Sequence, residues 1–251
     1  MTVATFTTMG TVVTLRGAGP AAAAEVRAVF AGYDHRYSLH DPASVLSRIA
    51  AGTLRLSDAP AAVREVYALA LAWRDRTGGA FTPHRPDGVV DLSGVVKALA
   101  VRDAGAALDG HAEDWMISAG GDVLVRGRYL PDTSWAVGVV DPVRRDTVVG
   151  VVRLDGTRRS VCTSGTAERG EHVWRRSVPT FVQATVVADD VVTADVLATA
   201  VVAGDEDDLR RLTAPGDVDV LAFGVDGNVW ATPGAARVVA PDAGAVAPRA
   251  R

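Results

Sequence analysis

The chain has 251 residues, 48% of them hydrophobic, with a formal net charge of −4 and one cysteine. That length can bury a substantial core, as one large domain or two intimately packed halves, while the mild charge and dispersed arginines exclude the basic stripe that nucleic acid requires. Cys162 rules out an internal disulfide, one Cys and five scattered His cannot build a Cys/His metal cage, and no run approaches the roughly 20 apolar residues of a membrane span, so membrane insertion is not expected.

Residues 1–16 alternate Thr and Val with no positive or continuous apolar stretch, so they read as a strand rather than a signal peptide, and the expected location is the cytoplasm. Within that strand, over 5–15, Met9-Gly10-Thr11 suggests a bulge or a close approach to a ligand. Residues 21–37 form an Ala-rich helix with Val26, Val29, Phe30 and Tyr33 on its apolar side. Asp41 followed by Pro42 predicts the N-cap and first residue of a short helix over 41–48. A second long helix is predicted over 57–76, capped by Ser57 or Asp58, with Val63, Val66, Tyr67, Ala70 and Trp73 at core spacing. Gly78 and Gly79 end it, and 81–88 is a loop in which His84 is read as solvated.

Residues 91–122 are the most organised stretch. Ser93 is a good N-cap for a helix carrying Leu99, Val101, Ala104 and Leu108, and Trp115 to Ile117 is a buried strand broken by Gly120-Gly121. Paired glycines mark either a tight turn or a place where a ligand or backbone comes closer than a Cβ permits, with Asp122 as an acceptor beside it. Strands are then predicted over 123–126, 135–140, 148–154 and 160–163 as an antiparallel meander, with Cys162 a small core residue. A polar loop over 164–170 leads to a strand that starts with His172 and continues in character to 187. Thr193 is expected to cap a helix over 193–200, an acidic surface helix covers 205–212, and a hairpin turns at Asp226-Gly227.

Three sets of residues could carry chemistry. Asp195 and Thr199 are four apart on one helix, so their oxygens share a face and could ligate Mg²⁺; equally, Asp195 could offset the helix dipole while Thr199 bonds within the helix. His172 is placed to act as a general base, or is a structural strand histidine. Lys97, one turn beyond Ser93, could reach a phosphate as a point charge or face solvent.

Their order along the chain is more specific than any one of them. Met9-Gly10-Thr11, Ser38 through Arg48, Asp91-Leu92-Ser93-Gly94-Val95-Val96-Lys97, Ser118-Ala119-Gly120-Gly121-Asp122, Thr163-Ser164-Gly165 with Glu168-Arg169-Gly170 and His172, and Thr193-Ala194-Asp195-Val196-Leu197-Ala198-Thr199 together resemble the ApbE family of FAD:protein FMN transferases. The resemblance spans about residues 9–230. It implies a mixed α+β fold, two packed α/β halves with a flavin cleft between them, as a single transferase domain over 1–240 followed by a flexible tail at 241–251. It implies FAD as substrate and Mg²⁺ held by Asp195 and Thr199, aided by a backbone carbonyl of the segment beginning at Ser93. Flavin contacts fall around Met9, Ser118, Ala119, Gly120, Gly121, Asp122 and Ser164, and the catalytic residues on His172 and Lys97. The partner it implies is a flavoprotein bearing a Thr or Ser that receives FMN, with AMP released.

The chain departs from the family pattern in four places. Val173-Trp174-Arg175-Arg176-Ser177-Val178-Pro179 replaces the usual Asp-Pro-x-Thr-Gly turn after the histidine, Ala98 replaces a Gly, Thr82 an Asp and His40 a Tyr. The first departure leaves two alternatives on the same fold. One is an FAD pyrophosphatase with water as the acceptor, and the other a non-catalytic flavin-binding protein in which Arg175 and Arg176 hold a phosphate.

Overall fold

In the computed structural model, which describes residues 1–154, 156, 158–165 and 178–240, strands whose side chains are buried on both sides occupy the middle of the molecule. β1 (Val3–Thr8), β2 (Thr11–Arg16), β3 (Trp115–Ala119), β4 (Asp122–Arg126), β7 (Ser160–Gly165), β8 (Phe181–Ala188), β9 (Asp219–Gly224) and β10 (Val229–Ala231) form one antiparallel sheet in the order β1-β2-β3-β4-β7-β8-β9-β10. β5 (Trp135–Val140) and β6 (Val148–Leu154) make a separate hairpin sheet with β11 (Val239–Ala240).

Strand alternation divides the apolar residues between two cores. Ile117, Leu124, Cys162, Val186 and Val220 point to one face, where α1 (Pro20–Tyr37), α4 (Ser93–Leu108) and α5 (Val191–Ala203) bury them. Val123, Val125, Val161, Val187 and Leu221 point to the other, where Trp135, Val139, Val152 and Leu154 of the small sheet cover them. The mixed α+β fold expected from the sequence is the one observed. No helix among the described residues is long and apolar enough to cross a membrane.

Several local expectations are corrected. The meander does not form: β4 pairs with β7, because both are buried on two faces, while β5 and β6 alternate buried and exposed residues and so cover one face as a lid. Residues 5–15 are a hairpin, not a bulged strand, since Met9 and Gly10 both have positive φ between the paired Thr8 and Thr11. Asp41 forms a local turn to the Ala43 N–H at 2.9 Å, so α2 (Val45–Ala50) is capped instead by Ser44. Pro60 pushes Ala59 out of the helical region, delaying α3 to Ala61–Arg76 and leaving Leu56–Asp58 as a 3₁₀ turn. Ser93 is the first residue of α4 rather than its cap, and its N–H donates to Asp91 Oδ1 at 2.9 Å.

Asp190, not Thr193, caps α5: its Oδ2 accepts both the N–H and the hydroxyl of Thr193 at 2.8 Å. Asp195 therefore lies beyond the first turn, where a dipole role weakens. His84 is half-buried, with Nε2 2.9 Å from Tyr67 Oη, so the solvated reading gives way to a pinned loop. α6 (Glu206–Thr213) and the β9–β10 hairpin follow expectation. α7 (Pro233–Val238) was not foreseen, nor was the pairing of β11 with β6. The tail expected over 241–251 lies outside the described residues.

Candidate functional site

Antiparallel registers bring chemistry-bearing segments to one end of the large sheet. Val13 pairs with Ala119, so the two-residue loops Met9-Gly10 and Gly120-Gly121 emerge at the same end. Asp122 pairs with Cys162, placing Ser164 at that end too, and α5 runs back along β8 until Thr199 meets Ser164.

The Gly120-Gly121 loop has positive φ at both residues (55° and 95°), as a two-residue hairpin turn needs. A Cβ on Gly121 would lie 3.0 Å from the Thr163 carbonyl, and the Thr163 N–H donates to the Gly121 carbonyl at 3.1 Å. The close approach is therefore backbone to backbone, locking the turn onto β7. Gly94 plays a parallel part at the start of α4, where a Cβ would stand 2.9 Å from the Phe81 ring.

The locked turn delivers Asp122 into the interior, fully buried and on the helix side of the sheet. There Lys97 Nζ lies 2.8 Å from Asp122 Oδ2 and 3.7 Å from Asp195 Oδ1. Lys97 is 9% exposed, so its ammonium faces protein carboxylates rather than solvent. Burial, then the charge of Asp195, pushes the Asp122 carboxyl up to about 7 against the pull of Lys97. The same surroundings push the Cys162 thiol up, chiefly by burial, and its Sγ donates to the Val191 carbonyl at 3.6 Å. Cys162 was expected only as core filling; its place opposite Asp122 puts it in this polar cluster as well.

At the edge of the cluster, Ser164 Oγ and Thr199 Oγ1 are 3.1 Å apart, and both residues are half-buried. Asp195 and Thr199 thus present a carboxylate and a hydroxyl from successive turns of α5 beside a second hydroxyl. Hard oxygen donors of this kind suit Mg²⁺, which fills the rest of its shell with water or substrate oxygens. Two carboxylates, those of Asp122 and Asp195, face the single ammonium of Lys97, and that excess of acid over base also favours an added cation, so the residues fit that ion. Among the described residues no group of three or more His, Cys, Asp and Glu forms a cage.

The remaining expected residues are placed unevenly. Ser93 is exposed at the first position of α4, one turn before Lys97. Ala119 is buried and paired with Asp122. Ser118 alternates with Ala119 and so faces the opposite side of the sheet from the cluster. Met9, with φ 49°, is the one non-glycine residue of positive φ among the described residues, and its N–H donates to Asp34 Oδ2 at 3.2 Å. Beside it an open cavity of about 490 Å³ is lined by residues that include Thr8, Asp34, Ser38 and His40. Asp34 was missed in the sequence because nothing in a long helix marks a carboxylate that holds a distant turn. His172, the expected base, lies outside the described residues, as do Glu168, Arg169, Arg175 and Arg176.

Against known proteins, the ApbE family model matches residues 83–222, more than half of the chain. A search of curated proteins finds no match. Among solved structures, the ApbE protein of Thermotoga maritima is similar at 20% identity, covering 93% of this chain and 97% of that one, with a TM-score of 0.76. The flavin transferase ApbE of Vibrio cholerae is similar at 19% identity, with 92% and 97% covered and a TM-score of 0.75. The apo flavinyl transferase ApbE of Pseudomonas stutzeri gives 17%, 95%, 98% and 0.74. At these identities the structural likeness establishes the fold.

Proposed function

The chain belongs to the ApbE family, and from that premise we propose that it is a flavin transferase, moving FMN from FAD to a Thr or Ser hydroxyl of a partner flavoprotein and releasing AMP. The observation that carries this reading is the Lys97, Asp122 and Asp195 cluster behind the Ser164 and Thr199 hydroxyls, at the sheet end where the Met9-Gly10 and Gly120-Gly121 turns emerge. The Gly120-Gly121 turn carries no side chain that would crowd a flat ring, and the backbone of residues 119–122 lies beside it. The Ser164 and Thr199 hydroxyls at that same end offer oxygen donors for a diphosphate and its cation.

In this reading the acceptor oxygen attacks the FMN phosphorus, the bond to the bridging oxygen breaks, and AMP leaves with that oxygen. The acceptor proton passes to His172, a role drawn from the resemblance. Asp195 and Thr199 would hold Mg²⁺, which when bound draws off the charge that grows on the phosphate oxygens. The remaining work is positioning of two large partners, which the rigid strand ends supply. Residues 1–240 act as one transferase domain, in the cytoplasm, an assignment that cell fractionation checks.

The test is incubation with FAD, MgCl₂ and candidate acceptor flavoproteins. A fluorescent protein band that survives denaturation, with AMP formed in equal amount, is expected, and Asp195→Ala should abolish both. The replaced turn after His172 favours a second reading, FAD pyrophosphatase activity. Free FMN and AMP accumulating without any labelled protein would select it.

A further inference from the structure

We propose that Asp122 and Lys97 are positioning residues for Asp195, a three-part strut in which a strand carboxylate fixes an ammonium and the ammonium fixes the orientation of the metal-binding carboxylate. This rests on the assignment of Asp195 to a divalent cation made above.

The parts differ in stiffness. Asp122 is the rigid one: it is fully buried, opens β4 in register with Ala119 and Cys162, and follows a turn whose backbone is locked to Thr163. Lys97 alone would sample many rotamers, but its ammonium sits 2.8 Å from Asp122 Oδ2, and that contact sets where the chain ends. Asp195 stands in a helix whose other buried residues are Val, Leu and Ala, and α4 supplies a polar contact that orients it, 3.7 Å from Lys97 Nζ to Oδ1. The unequal distances matter. Asp122 holds the ammonium close to itself, so Lys97 steers Asp195 without closing on it as a tight ion pair that would compete with a cation. Partners that orient a ligating carboxylate in this way typically change metal affinity by roughly 10–100-fold when removed. The strut also accounts for the acid that follows the glycine pair, because the locked turn delivers that carboxylate to Lys97.

Charge alone and positioning predict opposite signs for one substitution. Removing the Lys97 charge makes the site more negative, so simple electrostatics predicts tighter cation binding by Lys97→Met; loss of the strut predicts weaker binding. The double variant K97M/D122N leaves the net charge unchanged, so electrostatics predicts wild-type affinity and the strut predicts a loss. It also removes both members of the pair, which proteins tolerate far better than removal of one, so it decides the matter if K97M does not fold.

The experiment is titration of the full chain, without flavin, with Mn²⁺ alone, following free Mn²⁺ by electron paramagnetic resonance at mildly alkaline pH. Near-ultraviolet circular dichroism establishes that each variant is folded. Loss of affinity of roughly 10–100-fold in K97M and in the double variant is expected. Wild-type binding by the double variant, or tighter binding by K97M, overturns the strut. Asp195→Ala is run alongside: if it leaves Mn²⁺ binding intact, the cation assignment itself fails and the strut with it. If it abolishes binding while the double variant matches wild type, the strut alone fails.

Discussion

Ser164 Oγ and Thr199 Oγ1 stand 3.1 Å apart, joining the end of a central strand to the helix turn that follows Asp195. The hydroxyls meet because β7 and α5 pack along their length, and Cys162 Sγ reaches the Val191 carbonyl two strand residues earlier. Sequence spacing alone offered Thr199 either as a Mg²⁺ ligand beside Asp195 or as a residue that bonds within its own helix. The contact across to β7 puts its oxygen at the edge of the acidic cluster.

Thr199→Val keeps the branched shape and removes that oxygen. Stability should fall by only about 0.5–1.5 kcal/mol, the scale of one hydrogen bond. The Mg²⁺ concentration needed for half-maximal FMN transfer should rise by roughly tenfold or more, on the scale found for disturbed metal ligation. Thr199→Ser, which keeps the hydroxyl, should stay near wild type. Equal Mg²⁺ responses in the valine and serine variants would remove Thr199 from the cation site.

Asp122 makes stability depend on pH. Its carboxyl is raised from 3.8 to about 7, by burial first and by the Asp195 charge second. Between those values the folded protein keeps a proton that the unfolded chain has lost. The contribution of this group is therefore full below 3.8 and disappears as pH rises through about 7. Urea unfolding of wild type and Asp122→Asn in EDTA should show the asparagine variant gaining relative to wild type across that window, then levelling off. A difference that stays flat with pH contradicts the assignment.

How far the sequence could be read follows from the range of the forces involved. Local signals served well where nothing overrode them. Core spacing placed Val63, Ala70 and Trp73 on the buried side of α3, and Asp226-Gly227 marked the β9–β10 turn. Caps were missed where two candidates competed, since Asp190 displaces Thr193 by accepting its hydroxyl, and Pro60 stops a helix that Ser57 would otherwise begin. Strand order beyond chain-adjacent hairpins was not legible, because β4 and β7 choose each other through burial on both faces, a property of the assembled molecule. The site was half legible: the pairing of Asp195 with Thr199 on one helix face was visible, whereas the burial of Lys97 between two carboxylates depends on α4, β4 and α5 converging.

Gly121→Ala tests whether the glycine turn is structural. The position has φ 95°, and the added Cβ would stand 3.0 Å from the Thr163 carbonyl, backbone that cannot easily move. A left-handed non-glycine residue costs about 1–2 kcal/mol before any contact is counted. The midpoint of chemical denaturation should fall accordingly, and FAD binding should weaken with it because Asp122 moves. Ala at Gly10, also at positive φ (67°) but in open space, should show the backbone cost alone. Equal losses at the two positions would mean that the contact with Thr163 carries no weight.

Met9 is a different case, because its conformation is costly and yet a glycine would relieve it. Its φ of 49° lies in the left-handed region, its N–H is held by Asp34 Oδ2, and its side chain packs on the helical core beside the cavity lined by Ser38 and His40. Strain of about 1–3 kcal/mol at such a residue persists where the surroundings enforce it, and it concentrates at binding sites. Met9→Gly retains the N–H donor and releases the backbone, but it also loses the side-chain packing and loosens the unfolded chain, so its unfolding free energy should change by less than about 1 kcal/mol. If the thioether side chain is held there to lie against the flavin, the same variant should weaken FAD binding by roughly tenfold, the value of about 1.4 kcal/mol of lost contact. Titration of FAD fluorescence quenching in wild type, Met9→Gly and Met9→Leu separates the effects: leucine keeps an apolar side chain and should bind nearly as wild type does. Should glycine bind FAD as tightly as methionine, the left-handed residue is a feature of the hairpin alone, and the flavin lies elsewhere on this end of the sheet.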